Sequence, residues 1–343
     1  MGIEIIDDYL FNYLGLPRNY LLRMTLSSLP RLAFRPALGS RLPLLPFSDG
    51  PLVRAIGHDI KMKIAKGGDM LNSLVRKFEG LGIDYSYPGF YNEPNFMQEE
   101  ARNPDFLRSY GFYVKFRNYD DDYLESVRQV VPSIAEELFL ELRKDGRQRA
   151  CVDMSASITK ILEQHHIWCV VIEGAFNVVY PTQDIEHRYN WYFDDPQSLQ
   201  RRMDPGHVWV YCPPYEIIDL TIRQQGYTAG QEAYLPNYVL QEGGENFIAT
   251  LEDLCSPEVR TILRQCKISQ KHFFDMKSFN KITPHMRPFL VKHEETIIRY
   301  TPFTFSASDA QGIEGINNMT FSARSLWEVY NDKIVPIFNP PEG

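Results

Sequence analysis

The chain has 343 residues, 44% of them hydrophobic and 23% charged, which is the composition of a globular protein with a real core and excludes a disordered or low-complexity chain. A net charge of −8, with no clustered block of Lys and Arg, excludes a dominant nucleic-acid role, because phosphate binding needs such clusters. Five scattered cysteines, an odd number, exclude a disulfide framework and leave at least one free thiol, as suits a reducing compartment.

The length predicts two or three folding units. The first residues, Met1 to Asp8, carry no basic segment and no long apolar run, so no secretory signal is expected. No stretch approaches the roughly 20 apolar residues of a spanning helix. The expectation is a cytoplasmic protein without a membrane partner.

Residues 1–30 have the spacing of two short helices, with Ile5, Ile6, Leu10 and Leu14 on one face. Five prolines between Pro30 and Pro51 predict an extended connector. An amphipathic helix is predicted over 69–79, capped by Asp69, with Leu71, Leu74, Val75 and Phe78 inward and Gly80 and Gly82 ending it. Gly67-Gly68 is not followed by a phosphate-loop pattern. Residues 84–110 resist assignment. Phe112, Val114 and Phe116 alternate with polar neighbours and predict a strand.

Asp120-Asp121-Asp122 opens a helix that Pro132 is expected to interrupt, and Ser133 to Glu136 has the form of a capping box starting a second one. Lys144-Asp145-Gly146 supplies the stop. The next helix should begin at Cys151, with Met154, Ile158, Ile161 and Leu162 as its apolar stripe and Asp153, Lys160 and Glu163 off it. His165-His166 closes it. Ile167 to Ile172 reads as a buried strand, Glu173-Gly174 as a turn or bulge, and Ala175 to Tyr180 as its continuation. Residues 181–206 are a long polar and aromatic insertion whose Tyr189-Trp191-Tyr192-Phe193 cluster is either core or a substrate-side lid. Strands at 207–212 and 215–222 flank Pro213-Pro214, a helix starts at Ser256-Pro257, and 287–306 alternates as strands.

The central stretch carries the chemistry. A thiolate, not a thiol, attacks a carbonyl carbon. A helix N-terminus, an adjacent imidazole and a carboxylate on the far imidazole nitrogen all help form it at neutral pH. Cys151, His207 and Asp219 can supply these three. A two-residue loop at Pro213-Pro214 would place Asp219 opposite Val208, on the wrong face. A three-residue loop or one bulge places it opposite Trp209, diagonal to His207. Two prolines cannot supply the positive φ of the common two-residue hairpin turns, so the longer loop is expected.

The order Cys151 with Ser155, Ile172-Glu173-Gly174, His207 with Trp209, and Asp219 with Thr221 resembles the transglutaminase-like branch of the papain-like cysteine enzymes. The resemblance covers residues 121–225, roughly a third of the chain. Ala150 stands before the cysteine, and the 181–206 insertion has no counterpart. The resemblance implies an α+β fold with a papain-like core, a helix carrying the cysteine packed on an antiparallel sheet. That core would span 121–230, between a mostly helical region over 1–120 and an α+β region over 231–343. It also implies acyl transfer through a thioester on an amide: peptide hydrolysis, glutamine deamidation or cross-linking.

Cys151 would be the nucleophile, His207 the general base and then acid, and Asp219 the orienting carboxylate. The backbone N–H of Cys151 would be a first oxyanion donor, with Trp191 and Gln148 the candidates for the second. No cofactor and no metal are expected: His165, His166 and Cys169 match no zinc spacing, and Cys169 and Cys212 read as buried thiols. The expected partner is a protein or peptide substrate, with no nucleic acid, and the oligomeric state is open. The alternative reading is a non-catalytic interaction module that keeps this core as a scaffold.

Overall fold

A computed structural model describes residues 68–182, 184–199, 206–228, 230–308, 312–316, 320–321 and 324–339. The chain divides after Met70 into two units, and the elements below belong to the second, Leu71–Gly343, save for the first three residues of the first helix. The helices expected over 1–30 and the connector over 30–52 lie outside the described residues.

The first described helix, α1, runs over 68–81, so Asp69 lies within it. Leu74 and Phe78 are buried at helical spacing, and Gly82, at φ 65, stops the helix as expected. After a short 3-10 turn at Phe90–Asn92 come α2 (Pro94–Arg102) and α3 (Leu107–Phe116). The strand expected from Phe112, Val114 and Phe116 is therefore wrong. Leu107, Tyr110, Gly111 and Val114, spaced i, i+3, i+4 and i+7, are buried together with Ser109 and Tyr113. That helical period overlies the alternation and wins, because it lets Tyr110 and Tyr113 join an aromatic core with Phe78, Phe90, Phe96 and Phe106.

The expected break at Pro132 is also absent. A single helix, α4, spans Asp121–Asp145 with Pro132 inside it, so Ser133 caps nothing. Asp120 caps its start by accepting from the Tyr123 N–H at 2.7 Å. Val127, Val131, Ile134, Leu138 and Leu142 form one continuous buried stripe across the proline. Burial of that stripe outweighs the one backbone bond a proline removes. Gly146, at φ 69, ends α4 by returning its N–H to Leu142.

Helix α5 (Cys151–Gln164) buries Met154, Ile158, Ile161 and Leu162 as expected. Lys160 and Glu163, read as lying off the stripe, are buried too. They pair with each other at 2.8 Å and share the Tyr91 hydroxyl, a closed polar triangle on the helix's second packed face.

The sheet is antiparallel and mixed in chain order. Strand β1 is Val170–Val179, β2 Arg188–Asn190, β3 His207–Cys212, β4 Tyr215–Asp219, β5 Val239–Gln241 and β6 Glu245–Asn246. Short helices α6 (Leu251–Leu254), α7 (Pro257–Gln265), α8 (Gln270–Met276) and α9 (Phe279–Ile282) precede β7 (Phe289–His293) and β8 (Thr296–Ser306). The order is β5-β4-β3-β1-β8-β7-β6, with β2 paired to β1. β8 lies directly beside β1, so strands from beyond residue 230 belong to the same sheet as β1, β3 and β4. The fold class is α+β. Helices α4 and α5 cover the face that presents Val171, Val208, Val210 and Cys212. Among the described residues no helix is long and apolar enough to cross a membrane.

Candidate active site

Five residues, Gly146 to Ala150, connect α4 to α5, and the last of them bring the chain in at an angle. Arg149 adopts φ 57, a left-handed conformation uncommon for a residue with a side chain, and donates its N–H to the Gln224 carbonyl at 2.7 Å. Ala150 follows, and no side chain caps the helix that begins at Cys151. One turn later the Ser155 hydroxyl donates to the Val208 carbonyl at 3.3 Å, tying the start of α5 to the strand immediately after His207.

His207 opens β3, opposite Gly174 of β1. The register of β1 against β8 shifts between Glu173 and Gly174, the expected bulge. A Cβ at Gly174 would lie 2.2 Å from the Thr301 carbonyl oxygen and 2.7 Å from the Trp209 ring. Only glycine lets the two backbones and the indole close up beside the histidine.

The β3–β4 hairpin settles where Asp219 lands. Its turn is the two residues Pro213 and Pro214, joined by a cis bond, with Cys212 paired to Tyr215. The longer loop expected there is not formed. The register then shifts, so that Glu216 and Ile217 stand against Tyr211 alone and Ile218 pairs with Val210. That bulge puts Asp219 on the face of His207 and Trp209.

Asp219 Oδ2 lies 2.6 Å from His207 Nε2. The same oxygen accepts from the Tyr300 hydroxyl at 2.8 Å, and Oδ1 accepts from the Thr221 N–H at 2.9 Å and the Thr221 hydroxyl at 3.0 Å. Gln225 Nε2 donates in turn to the Thr221 carbonyl and hydroxyl. The Phe176 ring lies 4.5 Å from the imidazole. Both His207 and Asp219 are fully enclosed, at 0% and 1% exposure, so the pair interacts with little solvent screening.

Burial by itself would lower the His207 pKa. The Asp219 carboxylate outweighs it, and with the Cys151 thiol also acting on the ring the pKa is raised to about 10. Burial likewise works to raise Asp219, but the imidazolium and the donated hydrogen bonds hold its carboxyl below the usual range. The second ring nitrogen, Nδ1, is buried and makes no hydrogen bond among the described residues. Cys151 is thus the second group bearing on the ring, without a formed bond at Nδ1.

Cys151 stands at the wall of a cleft of about 490 Å³. Arg149, Val152, Arg188, Asn190, Trp191 and Gln225 are among the residues that line it. The 181–206 insertion builds one wall, where Tyr189 and Trp191 stack with ring centroids 5.2 Å apart. Phe193 of the same insertion is core, its backbone bonded to Leu254 and Ser256. A Cβ at Gly206 would lie 2.3 Å from the Trp191 carbonyl oxygen, so the last residue of the insertion packs on its Asn190-Trp191 backbone one residue before His207. A larger cleft of about 720 Å³, near Met97 and Phe305, holds neither Cys151 nor His207.

The two oxyanion candidates fare differently from the central three. Trp191 lines the cleft, but its indole N–H already donates to the Glu252 carbonyl at 3.0 Å. Gln148 is exposed and does not line the cleft. His165 stacks on Phe338 and hydrogen-bonds the Tyr330 hydroxyl, while Cys169 is buried against the Thr159 carbonyl. Among the described residues no group of three His, Cys, Asp or Glu side chains could hold a metal ion.

Sequence reasoning missed Tyr300, Gln225 and Asn190. Tyr300 lies 81 residues from Asp219 in an ordinary alternating strand, and only strand order brings them together. Comparison with family models, with curated proteins and with solved structures returns no match.

Proposed function

We propose that this unit is a cysteine-dependent acyl-transfer enzyme with a transglutaminase-like, papain-like core, acting on an amide of a protein or peptide in the cytoplasm. The observation that carries the reading is the enclosed 2.6 Å contact between His207 and Asp219, with Cys151 as the other group acting on the imidazole. The raised His207 pKa favours an imidazolium at neutral pH, the counter-ion a resting thiolate needs.

Cys151 Sγ attacks the amide carbonyl carbon, forming the C–S bond while the π electron pair moves to oxygen. The backbone N–H of Cys151, at the start of a helix without a side-chain cap, is the first donor to that oxygen in this reading. Collapse expels the amine, which takes the proton His207 holds, and leaves a thioester. Water or a second amine then attacks the thioester carbonyl, giving its proton to His207; the C–S bond breaks, the new acyl product leaves and the thiolate is restored beside the imidazolium. Asp219 keeps Nε2 occupied, so that Nδ1 is the nitrogen left for the sulfur.

Incubating candidate protein substrates with the enzyme and recording intact masses tests this. A gain of about one dalton marks deamidation, fragments mark hydrolysis and a covalent pair marks cross-linking. Cys151→Ala must abolish the change at unchanged stability. Iodoacetamide should label Cys151 first, since burial raises the thiols of Cys169, Cys212 and Cys255. Rapid labelling of half-buried Cys266 with Cys151 silent would remove the assignment. Retention of every property by Cys151→Ala would leave the non-catalytic scaffold standing.

A further inference from the structure

Acyl transfer needs a second donor for the tetrahedral oxyanion, and neither residue expected from the sequence is available for it. Trp191 has committed its N–H to Glu252, and Gln148 lies off the cleft. We infer, resting on the acyl-transfer reading, that Asn190 is the side-chain donor of the oxyanion hole.

Three independent observations meet at this residue. The first is register. β8 occupies one edge of β1, so β3 and β2 share the other, β3 as far as the pair Gly174–His207 and β2 from the pair Phe176–Asn190. Cross-strand partners share a face, and so do alternate residues along a strand. Asn190 therefore projects to the same side of the sheet as His207, from a backbone position about 7 Å along it. The Phe176 ring, opposite Asn190 and packed 4.5 Å from the imidazole, marks that common face.

The second observation is chemical. The Asn190 amide nitrogen is buried and finds no acceptor among the described residues. A buried N–H left unpaired is costly, so its place in the fold calls for an acceptor arriving from elsewhere. The third is position, since Asn190 and Cys151 line the same cleft.

In the reaction, the C–S bond forms as the carbonyl π bond opens. The oxygen that receives the electron pair accepts one hydrogen bond from the Asn190 amide and one from the Cys151 backbone N–H. The C–N bond then breaks, the carbonyl re-forms, and the two bonds weaken with the charge that drew them.

The test sets two reactions of the same sulfur side by side in the full chain. 4-Nitrophenyl acetate acylates a thiolate through a tetrahedral oxyanion, while iodoacetamide alkylates it by displacement at a saturated carbon, with no oxyanion. Asn190→Leu, close to the native side chain in size, should slow acylation about 100-fold and leave alkylation within about twofold of wild type. Asn190→Ala carries the same two readouts should leucine not be tolerated in the strand. Wild-type acylation by both variants, with Cys151→Ala inert, overturns the inference and leaves the acyl-transfer reading intact. Equal slowing of both reactions also overturns it, because the effect would then fall on the sulfur. Acylation of Cys151→Ala at the wild-type rate, or none by the wild-type protein, overturns the reading and the inference with it.

Discussion

Asp219 reaches His207 because β4 carries one residue more than β3 between their paired positions, Glu216 and Ile217 standing against Tyr211. Without that extra residue the carboxylate would face α5, on the far side of the sheet from the imidazole.

Asp219→Asn removes the charge and keeps the shape. Burial, which favours the neutral ring, is then opposed only by the Cys151 thiol, and the His207 pKa should fall from about 10 toward the ordinary value of about 6.5. NMR titration of the imidazole checks it. A His207 pKa unchanged by the substitution would mean that Asp219 does not control the ring.

The same pair makes stability depend on pH in a defined window. His207 has its folded pKa raised, so its contribution is complete below the unfolded value of about 6.5 and is lost as pH climbs through about 10. Asp219 has its folded pKa lowered, so its contribution is present above about 4 and is lost as pH falls through the folded value. The difference in Tm between wild type and Asp219→Asn should be largest between about pH 4 and 6.5 and shrink steadily toward pH 10. A difference constant across that range contradicts the pairing.

Tyr300→Phe deletes the hydroxyl that donates to the oxygen already held by His207. A buried hydrogen bond to a charged group contributes about 1.5–3 kcal/mol, and urea denaturation at pH 7 should show a loss of that size. Activity should fall less than in Asp219→Asn, because the Thr221 N–H and hydroxyl still hold the other oxygen.

Gly174→Ala forces a methyl to 2.2 Å from the Thr301 carbonyl oxygen and should cost about 3 kcal/mol by overpacking. Gly80→Ala, in the helix over 68–81, meets nothing within 4 Å and should be neutral or stabilising by up to about 1 kcal/mol. Paired thermal melts of the two variants compare close approach at the bulge with plain helix propensity.

How much was legible in the sequence depended on the range of the interaction. Cys151 at a helix start, the buried stripe through Leu162, the bulge at Glu173-Gly174 and the strands flanking Pro213-Pro214 follow from period, turn chemistry and caps, all set by residues a few positions apart. Where two local signals competed, the longer-range one decided. The alternation at Phe112 to Phe116 yielded to a helical face that an aromatic core rewards, and Pro132 yielded to a stripe continuous on both sides of it. The sequence alone therefore determined a mixed α and β chain with a cysteine, a histidine and an aspartate on elements able to converge. Tertiary structure alone decided that β8 pairs with β1, setting Tyr300 on Asp219, and that β2 shares an edge with β3, setting Asn190 on the face of His207. Strand order and register are properties of contacts between distant segments, and no local period carries them.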